Sequence, residues 1–185
     1  MLSLGLVIFK KLKKILIVAA LIINYFSAKA QENNLVYIFL SETCPICKNA
    51  TAELKKLNNE YGKMGYHFIG VFPNENVSTI TTIKTFAKKY KLDFPVIIDS
   101  NQIYTQRFSA SITPEVIVWS ELKQKVVYRG KIDNSFESIG KRRTITTEFY
   151  LRNALESIQN NNLEAITFTK PVGCFIQTKN QKHEN

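Results

Sequence analysis

The sequence predicts an α/β layered domain whose central sheet runs parallel first and antiparallel at one edge. Between residues 35 and 108, short runs rich in Val, Ile, Phe and Tyr alternate with apolar residues at helical spacing. Two further β-type runs, joined by a turn around Glu121, then replace that alternation, and a final helical pattern follows them.

Leu35 to Leu40 is almost entirely apolar and reads as a buried strand. Next comes Cys44-Pro45-Ile46-Cys47, after which Ile46, Ala50, Leu54, Leu57 and Tyr61 mark one helix face, closed by Gly62 and Gly65. Tyr66 to Phe72 is the second strand, ended by Pro73-Asn74. Ser78 is the expected cap of a second helix, with Ile80, Ile83, Ala87 and Tyr90 on one face. Phe94 to Ile98 is the third strand, and Asp99-Ser100-Asn101 opens a short helix through Ile103, Tyr104 and Phe108. Glu115 to Trp119 and Lys125 to Arg129 form the antiparallel pair, with Trp119 and Tyr128 as core residues. The last helix is expected from about Thr146 to Asn160, with Phe149, Leu151, Leu155 and Ile158 inward.

The N-terminus addresses the chain. Lys10, Lys11, Lys13 and Lys14 precede an apolar run from Ile15 to Ile23, and Ala28-Lys29-Ala30 follows it. That order describes a secretory signal peptide over residues 1–30, cleaved after Ala30. Asn24, Tyr25 and Phe26 extend the run, so retention as an N-terminal anchor is the other reading. Membrane contact is expected only in that case. The location implied is the periplasm or cell envelope. Five lysines in this segment account for half of the formal charge of +10, leaving +5 for the remainder. No basic arm interleaved with aromatics is present, so nucleic acid is not an expected partner. Lys141-Arg142-Arg143 reads as a solvated loop.

Three cysteines in an exported chain is an odd number. A bridge between Cys44 and Cys47 would close almost no loop and stabilise little, so reactivity explains the pair better than structure does. Cys44 falls at a helix start, where unpaired N–H groups and the macrodipole favour an anion. Pro45 suits the first helical position, and Lys48 adds positive charge nearby. The thiolate is the attacking species. Cys44 is therefore the expected nucleophile, open to a partner, and Cys47, one turn into the helix, the resolving thiol. A zinc site would need four ligands. Only Cys174, His67 and His183 could join the pair, and His67 reads as a packing residue in a strand. No metal and no separate cofactor beyond a redox-active disulfide is expected.

The strand ending at Cys44-Pro45-Ile46-Cys47, the helix after it, FPVIIDS at 94–100, ITPEVIV at 112–118 and YRGKID at 128–133 resemble the thioredoxin-like superfamily. Within it they resemble the redoxin branch (alkyl hydroperoxide reductase/thiol-specific antioxidant type), and specifically its bacterial cell-envelope proteins. The resemblance implies a thioredoxin-like fold, a central mixed sheet flanked by helices on both faces. It also implies a cis proline opposite the dithiol, a position that Thr113-Pro114 matches. A cis peptide there would turn the Thr113 backbone toward Cys44 and offer an edge to an extended substrate. The distinctive C-terminal half of such envelope proteins is matched by GKRRTITT at 140–147 and VGCFI at 172–176.

Departures from the family pattern matter too. Thr43 stands where thioredoxins often carry tryptophan, and Ala50 where envelope reductases of cytochrome c maturation often carry an acid. Glu53, a turn later, reads as a surface residue. Peroxidases of this branch carry a proline and a threonine ahead of the reactive cysteine; here those positions are Tyr37 and Ser41. Ser41 would supply the hydroxyl, and Arg107 or Arg129 the arginine. Cys174 has three readings: a buried small hydrophobe, a second resolving thiol folding back on Cys44, or a tether to another protein.

The expectation is an exported thiol-disulfide oxidoreductase, with residues 31–168 as the redoxin domain and 169–185 as a tail carrying Cys174. Its partners would be disulfide-bearing envelope proteins and a thiol electron donor. The alternatives are a peroxiredoxin-like peroxidase using Cys44 and a copper-binding assembly factor.

Overall fold

The computed structural model describes Lys14, residues 33–74 and residues 76–177. The chain divides into two compact units, Met1–Glu32 and Asn33–Asn185. The expected signal peptide, its cleavage point and His183 lie outside the described residues.

Strand β1 (Asn34–Phe39) leads to helix α1 (Pro45–Tyr61), and β2 (Tyr66–Phe72) to α2 (Ile80–Tyr90). Then come β3 (Val96–Ile98), α3 (Ile103–Phe108), the two-residue β4 (Ile112–Thr113), β5 (Glu115–Ser120) and β6 (Lys125–Gly130). A small hairpin of β7 (Phe136–Ser138) and β8 (Lys141–Arg142), helix α4 (Tyr150–Gln159) and β9 (Cys174–Phe175) complete the order. The main sheet runs β3-β2-β1-β5-β6. β1 pairs parallel with β2, and β2 with β3, while β5 is antiparallel to both β1 and β6. The mixed sheet expected from the strand order is therefore present, with β1 at its centre.

Side-chain alternation along β1 feeds two cores. Val36, Ile38 and Leu40 pack with Leu54 and Leu57 of α1, Ile83 and Phe86 of α2, and Leu151 and Leu155 of α4. Tyr37 and Phe39 face the other way, against Ile117, Phe108 of α3, and Ile176 of the tail. Helices thus cover both faces, and because β1 is buried on both it reads as an unbroken apolar run. Tyr128 is fully buried in the first core, and Trp119 is half-buried against the second. Among the described residues no helix is long and apolar enough to cross a membrane.

Some expectations are corrected. Thr79, not Ser78, caps α2, through a reciprocal box in which Thr79 and Thr82 each accept from the other's backbone N–H. Ser78 instead donates to Glu42 in the loop before Cys44, at 2.7 Å. The inward face of α2 is Ile83 and Phe86, and Ile80 is exposed. His67 is exposed on β2 rather than packed. β3 and α4 are shorter than expected, with Phe149 at the cap of α4. Glu53 is half-buried and tied to Arg152 of α4 at 3.0 Å, not free on the surface. Lys141 and Arg143 are exposed but pair with Glu137 in the small hairpin.

A candidate active site of three thiols

The first turn of α1 sets the site. Cys44 is the N-cap residue, extended at φ −76° and ψ 120°, and Pro45 follows at the helix start. No side chain caps this helix end, and its unpaired N–H groups and dipole favour negative charge on the N-cap cysteine. One turn on, Cys47 is fully buried and its sulfur accepts from the Ser41 backbone N–H at 3.4 Å.

Opposite them, the Thr113-Pro114 peptide is cis, as the family resemblance implied. When protonated, the Cys44 thiol donates to the Thr113 carbonyl at 3.3 Å. The edge of Thr113 is already paired: β9 runs antiparallel to β4, with Thr113 opposite Cys174 and Ile112 opposite Phe175. This brings the Cys174 sulfur to 2.8 Å from that of Cys44. Two glycines allow the tail to come this close. A Cβ on Gly173 would lie 2.0 Å from the Thr113 oxygen, and one on Gly130 would lie 2.1 Å from the Thr169 hydroxyl. Thr169 anchors the start of the tail by donating its N–H to the Arg129 carbonyl and accepting from the Lys131 N–H. Val172 packs against the first core and Ile176 into the second.

The three thiols differ electrostatically. Hydrogen bonding from Cys47 and then from Cys174 outweighs burial and holds Cys44 down at about 5, against an ordinary 9.0. Burial raises Cys47 well above the ordinary thiol range, and the neighbouring Cys44 adds to this. Cys174 is pushed up to about 12 by burial first and by Cys44 second. The arrangement favours one thiolate, at Cys44, flanked by two protonated donors.

The remaining sequence candidates take other places. Pro45, Thr43 and Lys48 are exposed. The Ser41 hydroxyl bonds to that of Thr43 at 2.9 Å. Arg107 stacks on Trp119 and Phe108, and Arg129 pairs with Glu115 at 3.3 Å. Cys44 is not open as expected: it is 1% exposed, with the tail beside it. Sequence reasoning missed the pairing of β9 and the role of Gly173. A strand of two residues carries no periodic signal by which it could have been found. A small cleft beside Pro114 is lined by Ile46, Ala50, Ile132, Phe136 and Val172 together with the polar Lys131, Asp133 and Ser135. Among the described residues no group of three or more His, Cys, Asp or Glu side chains is disposed to hold a metal ion.

The redoxin family model matches residues 17–141, a stretch that includes the Cys44–Cys47 pair and the cis proline. The chain belongs to the redoxin family. A curated relative, the thiol-disulfide oxidoreductase ResA of Halalkalibacterium halodurans, is 29% identical over 83 residues. That alignment covers 45% of this chain and 46% of the relative, so the chain matches about half of that protein's length. Two solved structures share the fold at a TM-score of 0.70 each. One is a hypothetical protein from Sinorhizobium meliloti, 22% identical and covering 81% of this chain and 82% of its own. The other, an uncharacterized conserved protein from Geobacillus kaustophilus, is 24% identical and covers 83% and 82%. The redoxin chain thus has a thioredoxin-like fold, with its CxxC pair at the junction of the central strand and the following helix.

Proposed function

We propose that this redoxin is an exported thiol-disulfide oxidoreductase that exchanges its Cys44–Cys47 dithiol with disulfides of envelope proteins. The observation that carries the reading is the Cys44 sulfur, at a helix N-terminus, held toward the thiolate by two donating thiols. In the forward direction the Cys44 thiolate attacks a substrate disulfide, and the displaced substrate sulfur leaves as a thiolate and takes up a proton. Cys47, deprotonated, then attacks Cys44, releasing the second substrate thiol and leaving the Cys44–Cys47 disulfide. A thiol donor of the envelope restores the dithiol. Thr113 supplies the edge and Pro114 part of the adjoining cleft at which the substrate chain would lie once β9 gives way. Export rests on the N-terminal order of basic, apolar and small residues, with residues 1–30 as signal or anchor, 31–168 as the redoxin domain and 169–185 as the tail.

The peroxidase reading draws less support. The Ser41 hydroxyl and both candidate arginines are engaged with other groups. The test is turnover of a disulfide-bonded protein by the purified chain with a dithiol reductant. Cys44→Ser is expected to abolish it, a loss of at least about 100-fold, and Cys47→Ser to accumulate a mixed disulfide between Cys44 and the substrate. Full turnover by Cys44→Ser, or peroxide consumption that outruns disulfide exchange, would overturn the proposal.

A further inference from the structure

Strand β9 occupies the Thr113 edge that the proposed exchange assigns to a substrate chain. It pairs antiparallel with the residue before the cis proline, and the Ile176 N–H extends the pairing to the Ser111 carbonyl at 2.9 Å. Its cysteine is opposite Thr113, so its sulfur meets Cys44 as the sulfur of a bound substrate would. This placement is fixed at both ends. Thr169 anchors the approach, and beyond β9 the Gln177 N–H donates to Asn74 at 3.0 Å while Gln102 donates to the Gln177 carbonyl at 2.6 Å. Cys174 is also the more accessible of the two thiols flanking Cys44: it is partly exposed, whereas Cys47 is fully buried.

We propose that Cys174 is a third redox-active thiol, presented to Cys44 by β9 in the manner of a substrate, so that the disulfide of the oxidised protein alternates between Cys44–Cys47 and Cys44–Cys174. This rests on the exchange chemistry proposed above. The Cys174 thiolate attacks the Cys44 sulfur of the Cys44–Cys47 disulfide. The bond from Cys44 to Cys47 breaks as that from Cys174 to Cys44 forms, and Cys47 leaves as a thiolate that takes up the proton Cys174 released. Nothing is oxidised or reduced overall. Formation of the Cys44 disulfide removes the thiolate charge that helps hold the Cys174 proton in place, leaving burial as the opposing effect. In the Cys44–Cys174 form the tail is bonded over the edge, and an outside strand is shut out of it. In the Cys44–Cys47 form β9 is held only by hydrogen bonds and packing.

The test is a disulfide map of the whole chain equilibrated with glutathione, acid-quenched, alkylated and digested. Wild type is expected to yield both Cys44–Cys47 and Cys44–Cys174 peptides. Cys47→Ser and, independently, Cys47→Ala are expected to form the Cys44–Cys174 bond within one molecule. The effective concentration of Cys174 against glutathione should be on the order of millimolar or above. No Cys44–Cys174 peptide in wild type, together with glutathione adducts or intermolecular dimers alone in both variants, would overturn the proposal. Cys174→Ser separates the two readings. If it still forms Cys44–Cys47 while the other variants form no Cys44–Cys174, only the role of Cys174 fails. If Cys44 and Cys47 do not pair in it, the exchange mechanism itself fails.

Discussion

The Cys174 thiol on β9 donates to the Cys44 sulfur at 2.8 Å, and Cys47 stands one turn into α1; the proximity of these two thiols, Cys47 first, favours the Cys44 thiolate. The folded protein holds Cys44 at about 5 against an ordinary 9.0, so folding favours the thiolate. That contribution to stability is complete above pH 9, shrinks as the pH falls, and is absent below about pH 5. The raised thiols act in the opposite sense only above the ordinary thiol value. Reduced wild type should therefore gain stability relative to reduced Cys44→Ser as the pH rises from about 5 to 9. Urea midpoints of the two proteins would check this, and parallel pH profiles would contradict it. At this scale the dithiol was legible, because residue type and short spacing state its chemistry, whereas Thr113-Pro114 was legible only through the family resemblance. The meeting of Cys174 with Cys44 was one of three readings open for that residue, and only the folded tail, which brings the two sulfurs together across 130 residues, singles it out.

Long, periodic elements were read closely. β2 runs from Tyr66 to Phe72 as expected, and α1 ends where Gly62 closes it. Elements of two or three residues, such as β4, β8 and β9, carry too little pattern to be seen before their partners are known. The cap of α2 was misplaced by one residue because Ser78 and Thr79 are both capping types, and the contact of Ser78 with Glu42 decides between them. Thr79→Ala should cost about 1 kcal/mol, and Ser78→Ala, which removes a buried donor to the Glu42 carboxylate, at least about as much; thermal unfolding would rank them. Gly173 gives the sharper prediction. Gly173→Ala places a methyl group against the Thr113 carbonyl, which should push β9 off the edge. In a Cys47→Ser background the yield of the Cys44–Cys174 bond should fall about tenfold, equivalent to roughly 1.4 kcal/mol. An unchanged yield on disulfide mapping would show that β9 tolerates the methyl group in place.

Over the whole molecule, the sheet order puts β1 between β2 and β5, so the strand that delivers Cys44 is anchored on both edges and covered on both faces. The cis proline enters from β5, next to β1, which brings Thr113 across from the start of α1. The mixed sheet and the dithiol at the end of its first strand followed from the order of strands and helices; the proline across from them followed only from the family resemblance. That the C-terminus returns to the same edge depends on Val172 reaching one core and Ile176 the other, a tertiary relation that no local pattern encodes. The central claim is that Cys44 and Cys47 form a reversible couple. Its most direct measurement equilibrates the wild-type chain across a series of glutathione redox buffers and locates every free thiol by mass spectrometry. The account predicts a reversible two-electron transition in which Cys44 and Cys47 are found joined to each other. If these two are never found joined under any buffer, the account is contradicted.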